Sequence, residues 1–273
     1  MVDACSVDWC SVGGLGRHSL RRVGWTCHHR VVKIDEFKRM AAASESHWWY
    51  RNTRLLLRQM LEPLVDTSQS ALIFDAGGGT GATGGWLSDI APTVLGDFEA
   101  MTLDVARSDF PSYQPVRLDL NALPFHDASF SSVLCVTVLY HRLIADPAAV
   151  VAELARITRP GGIICLLEPG GRRLVRGHDR TTHSARRFSV SDMREMAESA
   201  GLEVLRATGA YSFLIPPAAI LTLVERGKDT SDVGRNQSGL GGLFGALARA
   251  ERALLRRVDL PFGVSAMVLA RKP

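Results

Sequence analysis

Residues 71 to 84 read Ala-Leu-Ile-Phe-Asp-Ala-Gly-Gly-Gly-Thr-Gly-Ala-Thr-Gly. A short apolar run ends in a carboxylate, Asp75, and breaks into glycine, as a strand does when a turn stops it. Without Cβ atoms, Gly77, Gly79 and Gly81 can take positive φ and leave main-chain N–H groups bare, ahead of a helix expected near Ala82. A flat or anionic ligand can lie directly on such a backbone.

Two kinds of ligand use loops of this type. Gly79, Gly81 and Gly84 spell G-x-G-x-x-G, which in dinucleotide sites sets a pyrophosphate on a helix N-terminus, although the match alone is weak. Asp75 is expected at the rim, where its charge would repel a diphosphate and favour a cation. S-adenosylmethionine carries a sulfonium and an ammonium and no phosphate, so it suits this rim better than NAD does. Asp97 is expected at the tip of a second strand over Thr93 to Gly96, placed to accept both ribose hydroxyls, with Glu99 as a further acceptor. A third strand, Gln114 to Leu118, leaves Asp119 and Leu120 at an adenine edge. A fourth, Ser132 to Thr137, is nearly all apolar, hence buried on both faces. Its tip places Val138, Tyr140 and His141 near the reacting carbon. His141 titrates near neutrality and is a candidate general base, or else a capping or packing residue.

These segments resemble an ordered set of family motifs. Asp75-Ala-Gly-Gly-Gly-Thr-Gly81 is similar to the D-x-G-x-G-x-G motif of class I S-adenosylmethionine-dependent methyltransferases. Val94-Leu-Gly-Asp-Phe98 resembles the second strand with its ribose-binding acid, Asp119-Leu-Asn-Ala-Leu-Pro-Phe125 the adenine-side segment, and Arg159-Pro-Gly-Gly162 the turn before the fifth strand. The resemblance covers roughly Leu72 to Pro169. It implies S-adenosylmethionine as cofactor, held by Asp75, Gly77, Gly79, Gly81, Asp97, Phe98, Asp119, Leu120 and Val138.

Strands alternating with helices call for a doubly wound, Rossmann-like α/β fold: a seven-stranded, mostly parallel sheet with helices on both faces. Asp146 and Pro147 form a helix start, and Val150, Leu154 and Ile157 line one face of that helix. Ile163 to Leu167 is a fifth strand, with Glu168 at the cleft mouth. Ser189 and Asp192 have capping-box spacing ahead of a helix that stops at Gly201. Leu202 to Ala207 and Val264 to Ala270 are strands six and seven. In the commonest form of the implied fold those two make a close hairpin, whereas here roughly fifty residues intervene. They hold an apolar piece, Phe213 to Val224, a polar loop through Gly239, and a helix with Leu243, Leu247, Ala250 and Leu254 on one side. This insertion, about 213–260, is expected either as a helical cap over the acceptor site or as an edge cover.

Acceptor-side residues are sought outside the nucleoside loops. Glu45-Ser-His-Trp-Trp-Tyr-Arg51 carries three adjacent aromatics, which cannot all face one core. The resemblance implies part of an active-site cover, with Trp48 and Tyr50 as candidates beside Tyr140. Beyond Glu168 the chain is rich in arginine, and a histidine and arginine pair is frequent there in the family, which nominates His183 and Arg187.

The divisions expected are residues 1–33 as a disordered extension or a start site placed too early, 34–66 as a helical cover with Ile34, Phe37 and Met40 at helical spacing, 67–170 as the cofactor core, and 171–273 as the acceptor half. Net charge is +4 over 273 residues, without a block of like charges, so nucleic acid is not indicated. Five cysteines, Cys5, Cys10, Cys27, Cys135 and Cys165, form no disulfide framework or metal spacing, and free thiols fit a reducing cytoplasm. No metal is expected. Arg21-Arg22 lacks a following apolar stretch, and no run of 18 apolar residues spans a membrane, although peripheral contact beside Arg252, Arg256 and Arg257 is compatible with the apolar insert. The expected function is methyl transfer to a small-molecule or lipid-linked acceptor. The alternatives are an NAD(P)-dependent oxidoreductase and a non-catalytic cofactor-binding protein.

Overall fold

The computed structural model describes residues 47–172, 174, 184–224 and 241–273. The expected extension (1–33), the start of the cover (34–46), His183 and the polar loop before Gly241 lie outside these residues.

Seven strands form one sheet in the order β3-β2-β1-β4-β5-β7-β6. They are β1 (Ile73–Ala76), β2 (Thr93–Asp97), β3 (Tyr113–Arg117), β4 (Phe130–Val136), β5 (Thr158–Pro169), β6 (Glu203–Ala210) and β7 (Ser265–Arg271). The pairs among β1 to β5 are parallel, and β7 is antiparallel to both β5 and β6. Dinucleotide-binding sheets run 3-2-1-4-5-6. An antiparallel strand lodged between β5 and β6 departs from that order, and the oxidoreductase alternative loses its topological support.

Alternation along the central strands divides the core. Val133 and Cys135 of β4 with Ile164 and Leu166 of β5 face α3 (Pro147–Ile157) and α4 (Val190–Ser199), where Val150, Leu154 and Met193 meet them. Leu134, Val136, Ile163, Cys165 and Leu167 face the other way, with Leu56, Leu57 and Leu61 of α1 (Trp48–Leu61) and Leu255 of α6 (Gly241–Leu255). Leu103 and Ala106 of α2 (Ala100–Asp109) close a small cluster on β2 and β3. Cys135 and Cys165 are buried free thiols.

Helix ends follow their local chemistry. Asp146 accepts the Ala148 N–H ahead of Pro147, Ser189 and Asp192 complete a reciprocal capping box, and Gly201 ends the following helix at φ +78°.

Two expectations change. No α-helix starts near Ala82; the chain makes a 3-10 turn over Gly85–Asp89. A Cβ at Gly85 would run into the Phe110 ring, so this stretch is pressed against β3's neighbours. Glycine at 84 and 85 also weakens helix formation, and Pro92 precedes the return into β2.

The insert is the second change. It holds α5 (Ile215–Val224) and α6. Helix α6 lies along α1, where Gln59 Nε2 donates to the Arg252 carbonyl at 2.9 Å and Arg252 pairs with Asn52. The inward residues are Ala248 and Leu255, whereas Leu243, Leu247 and Leu254 are 54%, 39% and 47% exposed. The leucine stripe therefore faces solvent. The helix packs Ala248 and Leu255 on the sheet and buttresses α1.

Candidate active site

The carboxyl ends of β1, β2 and β4 bring the glycine loop, Asp97 and Val138 together. Sterics sort the glycines by what each must avoid. A Cβ on Gly77 (φ +68°) would meet Val138 Cγ2 at 2.5 Å, and one on Gly81 (φ +77°) would meet Phe110 at 2.8 Å. Gly78 and Gly84 give room to the Asp75 carboxylate. Gly79 differs, since a Cβ there meets nothing within 4 Å at φ +57°. Four of these glycines serve internal packing, and Gly79 is the corner that opens outward.

Asp75 departs from its expected place at the rim. It is 2% exposed, tucked beneath the loop, with Tyr113 Oη donating to Oδ2 at 3.3 Å. Burial pushes its carboxyl up to about 7, so near neutrality it is substantially protonated. Its charge is therefore a weaker argument against a diphosphate than a rim carboxylate would have been.

Asp97 is half-buried and holds the loop. Oδ2 accepts the Gly79 N–H at 2.9 Å and Oδ1 accepts the Glu99 N–H at 2.9 Å. Burial raises its carboxyl above the ordinary range against these two bonds. Each carboxylate oxygen has a second lone pair, which leaves acceptor capacity for a diol. Beside it, the Phe98 ring lies under the Arg117 guanidinium at 5.8 Å, with Arg117 Nε donating to the Phe98 carbonyl. Asp119 Oδ1 accepts from the N–H and side-chain amide of Asn121. The Leu120 side chain belongs to the core, so only its main chain can face a ligand.

Sequence reasoning missed how the β4 tip is held. Thr137 sits at φ +54°, a conformation that costs a β-branched residue energy, and its N–H donates to the Leu167 carbonyl at 2.7 Å. Glu168, expected at the cleft mouth, is fully buried. Its carboxylate accepts the N–H groups of Val138, Leu139 and Tyr140 at 2.9, 2.8 and 3.2 Å. Burial pushes that carboxyl up to about 7 against these three bonds. An acid ending a central strand was the available signal.

The acceptor-side candidates divide. Tyr140 and His141 meet the segment after β5: His141 forms a β-bridge with Ser184, and the Ala185 N–H donates to the Tyr140 carbonyl at 2.9 Å. Arg187 Nη1 donates to the Gly170 carbonyl. His141 Nδ1 accepts the Leu143 N–H at 3.2 Å, so the neutral ring held this way carries its proton on Nε2. Trp48 is buried among Tyr211, Phe213 and Phe244. Tyr50 stacks edge-on with Trp49 and His47 at the start of α1. The cover does reach the loop, through a residue that was not singled out: Arg54 Nη1 donates to the Ala82 carbonyl at 2.8 Å.

Residues 74–166 match the methyltransferase domain family. An S-adenosylmethionine-dependent methyltransferase of Mycolicibacterium smegmatis is 26% identical over 171 residues, 62% of this chain and 64% of that protein. The chain thus spans just under two thirds of that relative's length. A ubiquinone biosynthesis O-methyltransferase of Paracidovorax citrulli is 30% identical over 189 residues, 59% of this chain and 79% of that protein. Among solved structures, a SAM-dependent methyltransferase of Thermotoga maritima is similar with a TM-score of 0.57 at 16% identity, over 88% of this chain and 96% of that one, a likeness of fold.

Proposed function

Because this chain belongs to the class I S-adenosylmethionine-dependent methyltransferases, we propose that it moves a methyl group to an oxygen, nitrogen or carbon of a small-molecule or lipid-linked acceptor. The observation that carries the proposal is the outward corner at Gly79, braced by Asp97 from the next strand tip. In this reading Gly79 lets the nucleoside approach the backbone, Asp97 takes the ribose hydroxyls with its spare lone pairs, and Phe98, Asp119 and the Leu120 main chain border the adenine. Val138, seated against Gly77, sets the depth of the pocket beside the reacting carbon.

S-adenosylmethionine supplies a methyl group already activated by its sulfonium. The protein's share is to align the acceptor, which is why clamped main chain at the β4 tip matters more than a dedicated base.

The ubiquinone methyltransferase likeness supports an aromatic hydroxyl on an apolar molecule. Peripheral contact with an anionic bilayer, where such molecules reside, is supported by the exposed leucines of α6 and the exposed Arg249, Arg256 and Arg257 beside them. No described helix is long and apolar enough to cross a membrane.

Incubation with methyl-labelled S-adenosylmethionine and a panel of catechols and quinols, followed by mass spectrometry, tests the reaction. Label on an acceptor oxygen is expected, and S-adenosylhomocysteine binding without turnover on any acceptor would favour a non-catalytic role.

A further inference from the structure

The outward side of α6 is apolar from end to end. Leu243, Leu247 and Leu254 stand exposed along it, with Ala246, Ala250 and Ala253 exposed between them. Val258, 47% exposed, extends the stripe, since its N–H donates to the Leu254 carbonyl at 3.1 Å and continues the helical turn. Upstream, α5 carries no charge over its ten residues and leaves Ile220 62% exposed. Exposed leucines set singly need no explanation, whereas a row of them at helical spacing marks a surface that meets something.

Charge on this helix is one-sided. Its single acid, Glu251, is turned inward, where the carboxylate accepts the N–H groups of Tyr211 and Ser212 and the Ser212 hydroxyl. Asp259, just past the helix, is taken by a two-pronged pair with Arg206 at 3.0 and 2.5 Å. Arg249, Arg256 and Arg257 are exposed, and among the described residues no carboxylate lies within ion-pair distance of them. Arg256 borders the stripe on the side of α1, where its Nε donates to Gln59, and Arg249, two turns earlier, shares that border. Burial first, and then the Arg249 and Arg256 charges, hold the Arg252 guanidinium below its usual value. An apolar stripe bordered by arginines and free of acids is the pattern of a helix lying in a bilayer interface, with leucines among the acyl chains and guanidinium groups at anionic headgroups.

Both ends of this stretch reach the carboxyl edge of the sheet. At the start of α6, Phe244 packs on Phe213 and Trp48, beside Tyr211, the residue that follows β6. Past its end the chain returns along β6, where the Leu260 carbonyl accepts the Gly209 N–H at 2.6 Å, and the Val264 carbonyl accepts the Gly170 N–H at 2.8 Å beyond β5. Phe262, between these two bonds, is 60% exposed.

We propose that the outward face of α6 is a docking surface for an anionic bilayer, on which the protein settles with the carboxyl edge of its sheet at the lipid. Peripheral contact by itself leaves the bearing of the site on the bilayer open. This arrangement brings the site to the phase in which an apolar acceptor dissolves. The docking surface stands on exposure and charge, and only that consequence for the acceptor rests on the methyltransferase reading.

Co-sedimentation of the full chain with vesicles tests the surface, using phosphatidylcholine alone and phosphatidylcholine mixed equally with phosphatidylglycerol. Binding to the mixed vesicles is expected to be about tenfold stronger and to weaken with added salt. Leu243→Ser/Leu247→Ser is expected to lower it about tenfold, Arg249→Gln/Arg257→Gln about fivefold and Phe262→Ser about threefold, with melting temperature and S-adenosylhomocysteine affinity unchanged. Absence of vesicle binding overturns the proposal. Equal binding by the wild type and the leucine variant also overturns it, reducing the contact to charge alone. Unchanged binding in Phe262→Ser overturns the placing of the carboxyl edge at the lipid. Self-association that the leucine variant loses, without vesicle binding, assigns the face to a second copy of the chain instead. If vesicle binding responds to the variants as expected while S-adenosylhomocysteine does not bind the wild type, the docking surface stands and the methyltransferase reading fails.

Discussion

Single residues carry the sharpest consequences. Asp97 accepts from Gly79 and Glu99 and still offers lone pairs, so Asp97→Ala removes both a loop brace and a ligand acceptor. S-adenosylhomocysteine affinity is expected to fall by about 1–3 kcal/mol, about fivefold to 150-fold, in a calorimetric titration; unchanged affinity would remove Asp97 from the site. Asp75 gives a prediction in pH. Its folded-state carboxyl is raised to about 7, above the ordinary value of about 4. Its contribution to stability is therefore complete below about pH 4 and is lost as pH rises to about 7, because the unfolded chain ionises first. Asp75→Asn removes this dependence, so the melting temperature of the variant minus that of the wild type should grow from pH 5 to pH 7 and then level off. A difference constant with pH would show that burial does not perturb this carboxyl. The order of motifs made Asp75, Asp97 and Asp119 legible as residues. The burial of Asp75 was not, since it depends on Tyr113, 38 residues on, whose hydroxyl donates to its carboxylate.

Among the elements, the glycine turn separates packing from binding. A side chain at Gly84 collides with the Asp75 carboxylate, whereas at Gly79 it enters open space. Gly84→Ala is expected to lower stability by about 1–3 kcal/mol in denaturant unfolding. Gly79→Val should cost only about 1–2 kcal/mol, through its backbone conformation, while abolishing S-adenosylhomocysteine binding. The reverse pattern would mean that Gly79 is the packed position. Helix α6 offers a second contrast, because Leu255→Ala at the buried face should cost about 2–5 kcal/mol. Leu254→Ala, one residue earlier and 47% exposed, should stay within about 0.5 kcal/mol. Helical spacing identified the amphipathic segment, and its leucine stripe lies on the solvent side. Periodicity reveals that a stripe exists, and only the neighbouring element, here α1 with Asn52 and Gln59, decides which stripe is covered. The capped helices α3 and α4 were legible because their signals are local. The expected helix near Ala82 was not realised, because the Phe110 ring, about 25 residues on, occupies the space that a side chain at Gly85 would need.

At the scale of the whole molecule, the sheet order with antiparallel β7 separates this architecture from the dinucleotide-binding folds that share its glycine loop. The doubly wound core and its seven strands could be read from alternating apolar runs. The placing of β7 between β5 and β6 could not be derived from those runs, since a fifty-residue connection leaves either edge within reach. The β1 loop, Asp97 of β2, the clamped β4 tip and the segment beyond β5 all lie at the carboxyl ends of their strands. The account's central claim is that this edge receives a sulfonium nucleoside. It is tested most directly by titrating the purified protein in parallel with S-adenosylmethionine, S-adenosylhomocysteine and NAD. The first two are expected to bind with one-to-one stoichiometry, with NAD giving no heat above dilution. Saturable NAD binding, with neither sulfur nucleoside taken up, would contradict it.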